Sequence, residues 1–233
     1  MKVFAISDLH LSTVCDKPMD VFGKSWENYF EQICQDWNSK VSQDDVVILA
    51  GDFSWAMRFE QALPDFNLVA QLPGNKVILR GNHDYWWNTR RKMEDFFSEN
   101  GFSTLHILHN NAFLVDGYSI CGTRGWFYDD TQSEPEKVLL REVQRLKTSI
   151  DAGRALGGEP IVFLHYPPIT LQQRCKPILD LLEQEKIKTC FYAHLHGSAA
   201  YSSYRGEFQG THFELLSGDF LKFCPKLIEL TKS

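Results

Sequence analysis

Long apolar runs are absent from this 233-residue chain, and no stretch approaches the roughly 18 apolar residues that a membrane-spanning helix requires. The N-terminus has neither the basic start nor the apolar core of a secretory signal, and it runs straight into Val3-Phe4-Ala5-Ile6, which points to the cytoplasm. Cysteine is sparse and scattered: Cys15, Cys34, Cys121, Cys175, Cys190 and Cys224 include no C-x-x-C pair. That excludes a zinc ribbon or redox dithiol and leaves the thiols as small hydrophobes of a reducing compartment. A basic excess is missing too, since 24 Lys and Arg face 30 Asp and Glu for a net charge of −6. Binding through phosphate-backbone neutralisation needs a basic patch or run, so nucleic acid is not expected as the main ligand. Internal repeats, low-complexity tracts and Pro/Ser-rich linkers are also lacking, and one domain over residues 1–233 is expected. The remaining composition, 43% hydrophobic and 23% charged, suffices for a core without disulfide or zinc staples.

What the chain does contain is a series of short apolar runs with helical patterns between them. Lys2 to Ser7, Asp45 to Ala50, Lys76 to Arg80, Pro160 to Leu164 and Lys188 to Ala193 are rich in β-branched and aromatic residues. Such near-continuous apolar content suits strands covered on both faces. Trp26 to Trp37 spaces its apolar residues as a helix does, and Arg90 to Glu99 and Glu134 to Leu156 also read as helices. The last has a Ser133-Glu134-Pro135 entry and a Gly157-Gly158 exit. Phe113 to Asp116 and Tyr118 to Cys121 flank Gly117 as a hairpin would, and Ala199 to Tyr204, His212 to Leu216 and Lys226 to Leu230 read as edge strands. The pattern predicts an α/β fold of two packed sheets with helices outside.

Metal-capable residues fall where the five apolar runs end. Asp8-Leu9-His10 follows the first, Gly51-Asp52 the second, Gly81-Asn82-His83-Asp84 the third, His165 the fourth and His194-Leu195-His196 the fifth. Taken singly, each has an ordinary explanation: surface polarity, an Asx turn or helix cap at Asp52, a core histidine at His165. Jointly they do not, because five of the eight histidines occupy these positions and leave only His106, His109 and His212 elsewhere. In α/β sheets the loops beyond the carboxyl ends of the strands converge on ligands, so one shared site is expected.

The order D-x-H, G-D, G-N-H-D, a lone His, then H-x-H resembles the motif set of the calcineurin-like metallophosphoesterases, from Asp8 to His196. The resemblance implies a four-layer α/β/β/α fold in which two mixed sheets are sandwiched by helices. It implies Asp8, His10, Asp52 and His196 as ligands of one metal, and Asp52 (bridging), Asn82, His165 and His194 as ligands of a second. It further implies His83 as general acid or phosphate contact and Asp84 as the carboxylate that orients it. Ala193 stands where the family usually has glycine before H-x-H.

The chemistry of the residues agrees. Imidazole, carboxylate and amide donors suit borderline divalent ions, here Mn before Fe or Zn. Two such ions repel unless an anion is shared, which Asp52 would supply. Four positive charges against two carboxylates and a bridging hydroxide leave a net +1 for a phosphoryl group. The hydroxide would attack phosphorus in line, with cationic His83 assisting the leaving group. Arg58, together with Arg80 and Arg124, could grip phosphoryl oxygens, although a surface salt bridge is the ordinary fate of such residues. Arg58 and Asn82 are the expected substrate contacts. Phe53, Trp55, Tyr85, Trp86, Trp87, Trp126, Phe127 and Tyr128 crowd the same loops and could wall a pocket for a planar leaving group. The expected activity is hydrolysis of a phosphomonoester or phosphodiester, with two alternatives open: a catalytically silent scaffold of the same fold, or a nuclease. A silent site should have lost a ligand, and a nuclease should carry a basic groove.

Overall fold

In the computed structural model, which describes residues 1–126 and 135–230, strands form where the apolar runs predict them. The first half holds β1 (Val3–Ile6), α1 (Tyr29–Lys40), β2 (Val46–Leu49), α2 (Leu63–Ala70), β3 (Asn75–Leu79), α3 (Arg90–Glu99) and β4 (Leu105–Leu108). Then come β5 (Phe113–Val115), β6 (Tyr118–Thr123), α4 (Pro135–Ala155), β7 (Glu159–Leu164), α5 (Lys176–Gln184) and β8 (Thr189–Tyr192). A hairpin of β9 (Gly206–Phe208) and β10 (Thr211–Leu215) precedes β11 (Lys226–Ile228). The chain divides into two compact units, Met1–Ile107 with the chain from Leu216 onward, and Leu108–Leu215.

The first unit is built on a five-stranded mixed sheet in the order β11-β1-β2-β3-β4. β1, β2 and β3 run parallel, with Val3 opposite Val46 and Val46 opposite Asn75, while β11 joins β1 antiparallel. Every residue of β1 and β2 is buried, as their unbroken apolar content requires of strands covered on both faces. The covering comes from helices. Ile33 and Trp37 of α1, Phe66 and Val69 of α2, and Met93 and Phe97 of α3 share one core with Phe4, Ile6, Val47 and Leu49. Trp37 is wholly buried and its indole N–H donates to the Pro73 carbonyl at 2.9 Å, so its polar edge is satisfied within the core.

The second unit carries a six-stranded mixed sheet, β5-β6-β7-β8-β10-β9. β6, β7, β8 and β10 are parallel, and β5 and β9 close the edges antiparallel. α4 lies tightly on β6 at Gly153, where an added Cβ would stand 2.8 Å from the Ser119 Cβ, and Ser119 Oγ donates to the Gly153 carbonyl at 2.7 Å. The two mixed sheets with flanking helices are the expected α/β fold.

Several boundaries differ from the sequence reading. α1 starts at Tyr29 because Asn28 takes a left-handed conformation (φ 51°), and Trp26 sits instead in a 3-10 turn, Lys24–Trp26. Ala199 to Tyr204, expected as a strand, lies largely in the 3-10 turn Gly197–Ser202, and the edge strand is β9. The Ser133-Glu134 helix entry lies outside the described residues. α2, α5 and β4 were not expected from the pattern.

Candidate metal centre

In the first unit, the loops leaving β1 and β2 stay hydrogen-bonded to each other beyond the strands. The N–H groups of Asp8, His10 and Leu11 donate to the carbonyls of Gly51, Asp52 and Phe53 at 3.0, 2.9 and 3.0 Å. This pairing holds Asp8 (φ 60°), His10 (φ 45°) and Asp52 (φ 51°) in the left-handed region. For a non-glycine residue that conformation costs on the order of 1–2 kcal/mol. The surroundings offset the cost. Tyr29 donates its hydroxyl to the His10 carbonyl at 3.0 Å, and burial, with the nearby Asp65 carboxylate, pushes the Tyr29 hydroxyl well above its usual range, so it remains a donor.

The G-N-H-D loop after β3 locks onto Asp52. His83 N–H donates to Asp52 Oδ1 at 2.8 Å, and Asp52 Oδ2 stands 3.7 Å from His10 Nε2. Gly81 is required by close approach, because a Cβ there would overlap the Asp52 amide nitrogen and Oδ1. Asp84 is fully buried and accepts five hydrogen bonds: from the N–H groups of Gly81 (2.6 Å), Asp52 (3.0 Å), Phe53 (2.8 Å) and Ser54 (3.2 Å), and from the Trp86 indole (3.0 Å). These bonds tie the loop after β3 to the loop after β2. Asp65 of α2, also fully buried, binds the Thr13 hydroxyl, the Thr13 N–H at 3.2 Å and the Ser54 hydroxyl at 2.5 Å. The residues beyond His10 and Asp52 are thus tied to one carboxylate that the sequence reading missed.

The rings around His83 are those of Trp55, Tyr85 and His10, at centroid distances of 4.3, 6.1 and 5.7 Å. Asn82 and His83 are half-buried. The aromatic rim divides between interior and surface. Phe53, Trp86 and Trp126 are 1%, 1% and 2% exposed and belong to the interior, Trp55 and Trp87 are half-buried, and Tyr85 is exposed. Phe127 and Tyr128 lie outside the described residues. Arg58 is exposed at the start of the 3-10 turn after the Asp52 loop, and its guanidinium makes no ion pair among the described residues. Arg80 is half-buried at the end of β3.

In the second unit, His165 is fully buried just past β7, and His194 (φ 73°) and His196 follow β8. The Ala193 N–H donates to the His165 carbonyl at 3.0 Å, so the two loops are pinned together. The His165 and His194 rings lie 5.2 Å apart at 70°. Ala193 is itself fully buried, a place where a small residue suffices. Arg124 takes the role of a structural cation, 3.8 Å from the buried Glu142 and 5.9 Å from the Tyr166 ring, while its carbonyl accepts from the N–H of Tyr166 at 2.8 Å.

The donor set fits divalent metal ions. Asp8, Asp52 and His165 are buried at 0–1% exposure, and a buried carboxylate is costly without cations or donors around it. Among the described residues, four of the eleven non-glycine residues at positive φ, Asp8, His10, Asp52 and His194, are candidate ligands, which concentrates backbone strain at the loops that carry the motifs.

The model of the calcineurin-like phosphoesterases matches residues 1–198. No curated protein matches the chain. Among solved structures, a protein of unknown function from Aquifex aeolicus superposes with a TM-score of 0.51 at 12% identity, over 97% of this chain and 95% of its own. A second covers 91% of this chain and 88% of its own at 13% identity and a TM-score of 0.49. The first likeness shows the fold alone. The family match spans every motif from Asp8 to His196, and with it the strand-end carboxylates and imidazoles find their common explanation: the chain belongs to the calcineurin-like phosphoesterase family.

Proposed function

We propose that this chain is a metal-dependent phosphohydrolase that cleaves a phosphomonoester or phosphodiester with two divalent ions, Mn before Fe or Zn. The proposed ligands are Asp8, His10 and His196 around one ion and Asp52, His165 and His194 around the other, with Asp52 shared and Asn82 added to the second; the two groups of metal-capable side chains support this division. All seven proposed ligands are present in the sequence, which favours an enzyme over a silent scaffold, and the net charge of −6 disfavours a nuclease. The observation that carries the reading is the set of strained, strand-end residues Asp8, His10, Asp52 and His194 within a chain of this family.

Bound there, the ions would polarise the phosphoryl oxygens and supply a nucleophilic hydroxide near neutral pH. The protein's own groups do the rest. Asp52 presents one carboxylate oxygen held by the His83 amide, so its geometry is set before any substrate arrives. His83, as the cation, gives its proton to the departing oxygen. Arg58, exposed and without an ion pair among the described residues, and Asn82 are the proposed substrate contacts. Six free thiols support a cytoplasmic protein, and no helix among the described residues is long and apolar enough to cross a membrane. Residues 1–233 are proposed to act as one catalytic domain.

The test is hydrolysis of bis-p-nitrophenyl phosphate, p-nitrophenyl phosphate and a nucleotide panel by Mn-loaded protein beside Asp52→Asn. Loss of about a hundredfold or more in the variant is expected, the scale of removing one electrostatic element from an active site. Wild type no faster than the variant on every ester would refute the proposal.

A further inference from the structure

We propose that Trp55 is the positioning residue for His83, holding its imidazole against the departing oxygen; the inference rests on the phosphohydrolase reading above. The indole ring is 4.3 Å from the His83 ring at 41° and 5.0 Å from the His10 ring at 21°. Trp55 therefore differs from its neighbours Phe53 and Trp86, whose rings pack on Phe66 and Phe59 in the core.

The indole is itself held on several sides. Its Nε1–H donates to Met19 Sδ at 3.3 Å, its backbone N–H donates to the Leu11 carbonyl at 2.8 Å, and its carbonyl accepts from Cys15 Sγ at 3.4 Å. Lys17 Nζ stands 5.5 Å from the ring centroid. A platform fixed in this way restricts the imidazole more than a mobile side chain would, and Tyr85 Oη, 3.4 Å from His83 Nδ1, bounds the ring at another atom. Nε2 is the atom we assign to proton transfer. As the bond from phosphorus to the leaving oxygen breaks, its electron pair stays on that oxygen and the Nε2 proton passes to it, leaving neutral imidazole. A small displacement of a reacting group costs much of its effect, so a residue that fixes the ring matters in proportion to how much the leaving group needs the proton.

This dependence gives the test. Full-length, Mn-loaded wild type, Trp55→Ala and Trp55→Phe are compared on a p-nitrophenyl ester, whose leaving group departs unaided, and on an alkyl or nucleoside ester of the same phosphate class. Trp55→Ala should lose at least about tenfold in kcat on the poor leaving group, part of the 10²–10⁴ that general acid catalysis supplies, and less than about threefold on the p-nitrophenyl ester. Trp55→Phe should recover most of the loss, and metal content should match wild type. In the metal-free chain, the His83 ring proton resonances, identified by their disappearance in His83→Asn, should shift on Trp55→Ala. Equal losses on both esters, loss of metal with the indole, or unmoved His83 resonances would each overturn the assignment. An inactive wild type would instead sink the phosphohydrolase reading.

Discussion

Replacing Asp84 by Asn removes one charge and almost no volume, and it should cost more than most core truncations of similar subtlety. One carboxylate oxygen accepts from Phe53 N–H, Ser54 N–H and the Trp86 indole, and the other from Asp52 N–H and Gly81 N–H. An amide can keep its oxygen on the three-donor side only by turning its NH2 toward the two remaining donors, which then face a donor in a site with no exposure. Each buried N–H left unsatisfied costs about 1–3 kcal/mol, so with two such donors Asp84→Asn should destabilise by about 2–6 kcal/mol. Because those two donors belong to Asp52 and Gly81, the loss falls on the proposed bridging ligand and the loop that locks it. Urea unfolding gives the stability and elemental analysis the metal content. A variant within about 0.5 kcal/mol of wild type, the range of a neutral surface change, with full metal content would refute the clamp.

Lys76 gives a pH-dependent prediction. Its ammonium is fully buried against the carbonyls of Leu72 (2.7 Å), Gly74 (2.8 Å) and Ala70 (3.3 Å) and the Thr104 hydroxyl (2.9 Å), and burial lowers its pKa from 10.5 to about 8. The folded chain then binds fewer protons than the unfolded one between those values, so this group favours folding at high pH and loses that contribution as pH falls through 8. The stability of wild type relative to Lys76→Met should rise by about 3 kcal/mol between pH 8 and 10.5 in parallel urea titrations, and a flat difference would contradict it. Gly81→Ala should displace the Asp52 carboxylate, and isothermal titration should show metal affinity weakened by at least about tenfold, the scale of a disturbed ligand position.

Much of the fold and the candidate site was legible because burial and chemistry left the same marks in the sequence. β1, β2, β3, β7 and β8 announce themselves by apolar runs, and the residue after each run is where a parallel sheet delivers its loops. Tertiary context decided the rest. The start of α1 turns on Asn28 adopting a left-handed conformation, which no apolar spacing reports. α5 is short, and its Lys176-Pro177 start was the signal that could have found it. Trp55 and Trp86 follow similar motifs, yet one ring faces two histidines and the other fills the core, a difference set only by how the loops close. Asp65 had no motif at all. Its role arises because α2 brings it beneath Thr13 and Ser54, residues 52 and 11 positions away in the chain.

The most direct measurement of the central claim is a titration of metal-stripped, full-length protein with Mn²⁺, following bis-p-nitrophenyl phosphate hydrolysis and bound metal together. Activity that appears only as about two ions bind per chain, and that Asp52→Asn fails to recover at saturating Mn²⁺, is the predicted result. Full activity in the metal-stripped chain, or hydrolysis by Asp52→Asn equal to wild type, would contradict it.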